Sequence, residues 1–149
     1  MPGVTMKESS IHTVKVLGWS GLLPFAFMPL AAVLDFPDWL QRLLLTYAVI
    51  ILAFMAGTLW ARFLVAVEPG RFRLIASNVL ALAAWPAVLL ELHWAALWLA
   101  LVFAAHLLLD EPWRGNEMPG WYRRLRLFLS SSVIALLVLT GLIGAGRVL

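Results

Sequence analysis

The sequence predicts an all-α polytopic membrane protein with five transmembrane helices. Three observations predict it: the composition, the lengths of the uncharged runs, and the side on which the basic residues fall. Of 149 residues, 63% are hydrophobic and 13% charged, against roughly 45–50% and about 25% in an ordinary soluble domain. A chain this short has too little interior to hide so much apolar surface from water. That argues against a soluble enzyme, a disordered tail or a fibre, and residues 1–149 read as a single integral membrane domain.

Charged side chains are absent from residues 16–34, 43–61, 74–90, 92–109 and 127–146. About 20 helical residues cross a hydrocarbon core of roughly 30 Å. Lipid offers the backbone no hydrogen-bond partners, so each run is predicted to be helical. The first run exceeds the 7–15 apolar residues usual in a signal peptide and contains Pro24 and Pro29, so it is expected to stay as a span. The third and fourth are separated only by Glu91. Together they are too long for one crossing, and Glu91-Leu92-His93-Trp94 is expected to turn. Pro86 is expected to kink the third run.

The charges test that count independently. Five spans place Lys7, Lys15, Arg62, Arg71, Arg73, Arg114, Arg123, Arg124 and Arg126 on one side, and only Arg42 and Arg147 on the other. Fusing the third and fourth runs gives six against five. The nine-to-two division is the one the positive-inside rule predicts, with the N-terminus cytoplasmic and the C-terminus periplasmic. A pI near 10.0 then reflects insertion polarity and lipid headgroups, and no nucleic-acid partner is expected.

Trp19, Trp39, Trp60, Trp94, Trp113 and Trp121 fall near span ends, where indole rings favour the headgroup boundary. Trp85 and Trp98 lie equally far from the Glu91–Leu92 turn and are expected to pack at similar depth, with Trp60 as a third candidate for aromatic packing. Small residues four apart permit close helix approach. They occur at Ala53, Gly57 and Ala61, at Ala96, Ala100 and Ala104, and at Gly141 and Ala145. Packing within the chain is the expectation for these stripes.

The mid-span residues are Phe25, Leu52, Leu82, Leu101 and Leu137, all apolar. Proton relays and coupling-ion sites need ionisable groups or broken helices near that depth, so a proton-coupled transporter is disfavoured. Polar residues gather instead at the cytoplasmic span ends. Ser77, Asn78, His106, Ser130 and Ser131 are the candidates for a polar pocket between spans three, four and five. Cysteine is absent, which excludes thiolate and iron–sulfur chemistry. His12, His93 and His106 have no spacing that suggests haem or a metal, so no catalytic, cofactor or metal-ligating set is expected.

The longest link, 110–126, ends in Pro119-Gly120-Trp121-Tyr122-Arg123-Arg124-Leu125-Arg126. It reads as an interfacial anchor, with arginines for phosphates and aromatics at headgroup level. Asp110, Trp121, Tyr122 and Arg126 are the candidate cytoplasmic cluster, and an Asp110–Arg126 pair is its simplest form.

Several segments resemble the bacterial family labelled domain of unknown function 3429, relatives of mitochondrial transmembrane protein 69. They are Leu-Gly-Trp-Ser-Gly-Leu-Leu-Pro-Phe at 17–25, Tyr47, and Ile-Leu-Ala-Phe-Met-Ala-Gly-Thr-Leu-Trp at 51–60. Ser77, Ala-Trp-Pro-Ala at 84–87, Asp110, Pro-Gly-Trp-Tyr at 119–122 and Leu125-Arg126 follow in order. The chain departs from the family pattern at Ala56, Leu59, Ala61 and Leu80. The resemblance implies a small multi-pass protein of the bacterial inner membrane and supplies no reaction, hence no catalytic residues. The function expected is that of a non-enzymatic accessory, assembly or scaffold component of a larger membrane complex or homo-oligomer. The alternative is a protein that binds or transports a lipid, quinone or small metabolite from the cytoplasmic-leaflet pocket.

Overall fold

A computed structural model describes residues 8–65, 71–110 and 119–148. Among these residues six helices follow in order: α1 (Glu8–Ser20), α2 (Leu23–Leu34), α3 (Asp38–Val65), α4 (Arg71–Ala84), α5 (Leu92–Leu109) and α6 (Gly120–Val148), with a 3-10 segment, Trp85–Leu89, continuing α4. Among the described residues five segments are long and apolar enough to cross a membrane: Glu8–Leu34, Asp38–Trp60, Arg71–Leu89, Leu92–Leu109 and Gly120–Arg147. The uncharged runs mark these segments; the fourth coincides with its helix and the others are shorter than theirs. Charged residues at a helix end snorkel to water without interrupting backbone bonding.

At α6 the added length changes a reading. Residues 120–126, read from sequence as a loop-like anchor, form the first two turns of this helix, and the Pro119 carbonyl accepts from Tyr122 N at 3.0 Å and Arg123 N at 3.2 Å. Lys7, Trp113 and Arg114 lie outside the described residues, as do the side chains of Ala61 and Arg62.

α5 is the central element. It buries residues around most of its circumference, among them Ala95, Ala96, Leu99, Ala100, Val102 and Phe103, and packs against α3, α4 and α6. α2 closes the bundle against α3 and α6, while α1 rests on α6. The mid-span residues divide by face: Phe25, Leu52 and Leu137 are fully buried, whereas Leu82 and Leu101 look outward. The α5–α6 seam depends on glycine. A Cβ on Gly141 would lie 2.4 Å from Leu97 Cγ, and one on Gly144 would lie 2.6 Å from His93 Cβ. Ala96, Ala100 and Gly141 thus serve packing inside the chain. The stripe on α3 differs from that expectation: Ala53 and Gly57 are exposed, and a Cβ on Gly57 would meet nothing within 4 Å.

Two proline breaks are repaired from neighbouring helices. Pro24 stands where the first span changes from α1 to α2, and Tyr47 Oη on α3 donates to the Gly21 carbonyl at 2.9 Å. Pro86 occupies the 3-10 segment. In i→i+3 register the nitrogen facing the Ala83 carbonyl would be that of Pro86, which has no hydrogen. Trp98 Nε1 on α5 donates to that carbonyl instead, at 2.7 Å. An unpaired carbonyl in hydrocarbon costs several kcal/mol, roughly, so both aromatics hold their breaks in place.

Candidate functional site

Alternating span directions gather polar groups at two ends of the bundle. At one end the close of α3, the start of α4, the close of α5 and the start of α6 meet. Asp110, the C-cap of α5, is 2% exposed, and Arg126 on α6 is 8% exposed. A carboxylate at a helix C-terminus opposes the helix dipole, and a buried charge needs a partner. Arg126 supplies it, donating through Nε to Asp110 Oδ2. Its other nitrogens are held as well: Nη1 donates to Tyr122 Oη at 3.2 Å and Nη2 to Thr58 Oγ1 at 2.9 Å. The planar fork of arginine, with donors on three separate nitrogens, suits such a three-way tie.

The tie spreads along the helix ends. Thr58 Oγ1 donates to Met55 O at 2.7 Å, and His106 Nε2 lies 2.9 Å from the same carbonyl. Ser77 Oγ on α4 donates to Ala56 O at 2.8 Å. On the outer side, the Trp121 and Tyr122 rings meet edge to face with centroids 5.7 Å apart, and Lys15 Nζ of α1 sits 6.0 Å over the Trp121 ring. Asp110, Trp121, Tyr122 and Arg126 therefore stand together. Thr58 is an added member, which in sequence reads as one more residue of a hydrophobic span.

The expected polar pocket between spans three, four and five is corrected by these contacts. Ser77 and His106 are buried, but each faces a backbone carbonyl of α3. Asn78 is exposed and bonds Leu74 O of its own helix at 2.9 Å, and Ser131 is exposed. Ser130 lines a cavity that lies on another seam. Aromatic packing is corrected too. Trp85 is 69% exposed, Trp60 and Trp98 also face outward, and Trp98 acts through its N–H.

The cavity beside the tie has a volume of about 380 Å³ and lies between α1–α2 and α6, with α3 and α5 behind it. Its walls include Leu17, Leu22, Phe25, Phe54, Phe103, Leu129 and Val133, and its polar groups are Tyr122, Arg126 and Ser130. Leu17 and Phe54 on its rim are 65% and 71% exposed, so its mouth opens sideways onto the apolar outer surface. Gly18 and Gly21 keep the α1–α2 wall thin.

A second cavity, of about 440 Å³, occupies the opposite end, lined by Asp35, Asp38, Arg42, Glu91, His93 and Arg147 among others. Its arginines serve helix ends: Arg147 Nη1 donates to Ala32 O at 2.8 Å and Nη2 to Val33 O, while Arg42 Nη1 reaches Val88 O at 3.4 Å. Cations at helix C-termini are electrostatically favourable, and scattered single charges in the sequence give no sign of this convergence.

Comparison with curated proteins and with solved structures finds no match. A family model described as "Protein of unknown function (DUF3429)" matches residues 10–142, a stretch that includes Thr58, Asp110, Tyr122, Arg126 and Ser130. The chain belongs to this family of unknown function.

Proposed function

We propose that this chain is a non-enzymatic, multi-pass protein of the bacterial inner membrane that binds an amphiphile and works as an accessory component of a larger membrane assembly. One observation carries the binding part: an apolar cavity opens toward the lipid-facing surface and ends on the Tyr122–Arg126 pair. Ligand sites are commonly concave and apolar with a few convergent polar groups. The nine-to-two division of basic residues supports an orientation with this end in the cytoplasm.

The test is native mass spectrometry of the chain purified in mild detergent, beside a Gly18→Leu variant. Gly18 lines the cavity, and a Cβ there meets flexible side-chain ends, Leu129 Cδ1 at 2.8 Å and Leu125 Cδ2 at 3.9 Å. One amphiphile per chain is expected, and its loss from Gly18→Leu. A chain that retains none, or a variant that retains it equally, contradicts binding.

The accessory role has its own support in the outward face of Ala53 and Gly57, where a second helix can approach closely. It predicts a stoichiometric protein partner that Gly57→Leu releases. A lone species under several solubilisation conditions contradicts that role and leaves amphiphile binding standing.

A further inference from the structure

We infer that the cavity beside the Asp110–Arg126 tie receives a prenyl-type quinone, a flat ring with carbonyl acceptors on a single apolar chain. This rests on the amphiphile-binding reading and names the class of amphiphile.

Charge decides first. Arg126 is the one cation among the described lining residues, and each of its three nitrogens already has an internal partner. Asp110 faces its charge directly. A phosphate or carboxylate head would therefore bring a negative charge beside a carboxylate, into a site whose guanidinium is engaged. An uncharged head avoids that.

Hydrogen-bond inventory decides second. Thr58 uses its O–H on Met55 O and accepts from Arg126. Tyr122 also accepts from Arg126, but its own O–H donates to no described residue. Ser130 is 7% exposed and its hydroxyl makes no hydrogen bond to any described residue, not even to the preceding turn of α6. No fully enclosed side-chain nitrogen or oxygen lacks a partner among the described residues, so the Ser130 oxygen is not sealed off, and its residue lines the cavity. Two hydroxyls that donate to no described residue thus line one largely apolar space. Buried polar groups are ordinarily satisfied, and acceptor oxygens on the occupant would satisfy these.

Shape decides third. Positions 122 and 130 lie eight residues apart on α6, about 12 Å along the axis between their backbones, so an occupant with acceptors at two places suits them. A ring with carbonyls at opposite edges presents acceptors in both directions. Phe25, Phe54 and Phe103 offer aromatic walls for such a ring. About 380 Å³ accommodates a ring and the beginning of one chain, not two acyl chains, and the sideways mouth lets the rest of the chain lie among lipids.

The experiment places the full chain in nanodiscs doped separately with a decyl-substituted benzoquinone, a diacylglycerol or phosphatidylglycerol. Retained mass is then read by native mass spectrometry. The benzoquinone is expected at one per chain, with affinity falling roughly fivefold in Ser130→Ala and in Tyr122→Phe. Ser130→Ala removes a hydroxyl without an internal bond, so its melting temperature without quinone should match the native chain. Equal benzoquinone retention by Ser130→Ala overturns the assignment. Preferential retention of diacylglycerol or phosphatidylglycerol overturns the quinone class but leaves amphiphile binding intact. Retention of nothing overturns both.

Discussion

Arg126 donates from Nε to the carboxylate of Asp110, fastening the first turns of α6 to the C-cap of α5. Both residues are more than nine-tenths buried, so removing one partner leaves a charge where water cannot solvate it. Asp110→Leu and Arg126→Leu should each destabilise the chain by about 3–5 kcal/mol. The double variant should lose less than the sum, by about 0.5–3 kcal/mol. Unfolding titrations in mixed detergent micelles measure all three, and strictly additive losses would show that the two side chains do not depend on each other.

Two glycines that look alike in sequence should respond oppositely to alanine. At Gly144 the new Cβ would lie 2.6 Å from His93 Cβ, a contact between two packed helices. Gly144→Ala should cost about 1–3 kcal/mol through overpacking. Gly57 has open space around it, and Gly57→Ala should stabilise helix α3 by about 0.5–1 kcal/mol. The same titrations read both, and a destabilising Gly57→Ala would mean that this face is packed.

What the sequence made legible was whatever the bilayer dictates residue by residue. Spans one to five, the separation at Glu91 and the placement of Asp110 near Arg126 follow from run length, charge and spacing. What it hid depends on which way a helix faces. Ser77 and Asn78 are adjacent and equally polar, yet one bonds α3 and the other only its own helix. Thr58 sits inside its uncharged run and enters the tie only because its hydroxyl faces Arg126 on α6. The cavity is built by Gly18 and Gly21 beside a proline break, a thinning of the wall that no polar residue announces.

Absence of cysteine makes the orientation directly measurable. Glu91, with its side chain 77% exposed, marks one end of the bundle, and exposed Arg124 marks the other. With the N-terminus cytoplasmic, Glu91→Cys should react with a membrane-impermeant maleimide applied to spheroplasts. Arg124→Cys should react only after the membrane is permeabilised. The reverse pattern would invert the proposed topology and move the quinone cavity to the other leaflet.

The Pro86 break offers a test in which one lesion repairs another. Trp98→Phe keeps most of the ring but removes the N–H that reaches Ala83 O at 2.7 Å. It should cost about 1–3 kcal/mol, the penalty of an acceptor left unsatisfied away from water. Restoring a main-chain donor by Pro86→Ala allows residue 86 to bond that carbonyl in the 3-10 register, or the helix to continue in α register. Trp98→Phe should therefore be much milder on a Pro86→Ala background than on the native one, read by unfolding titration. An equal loss on both backgrounds would mean that Trp98 stabilises α5 through its ring contacts and not through the proline break.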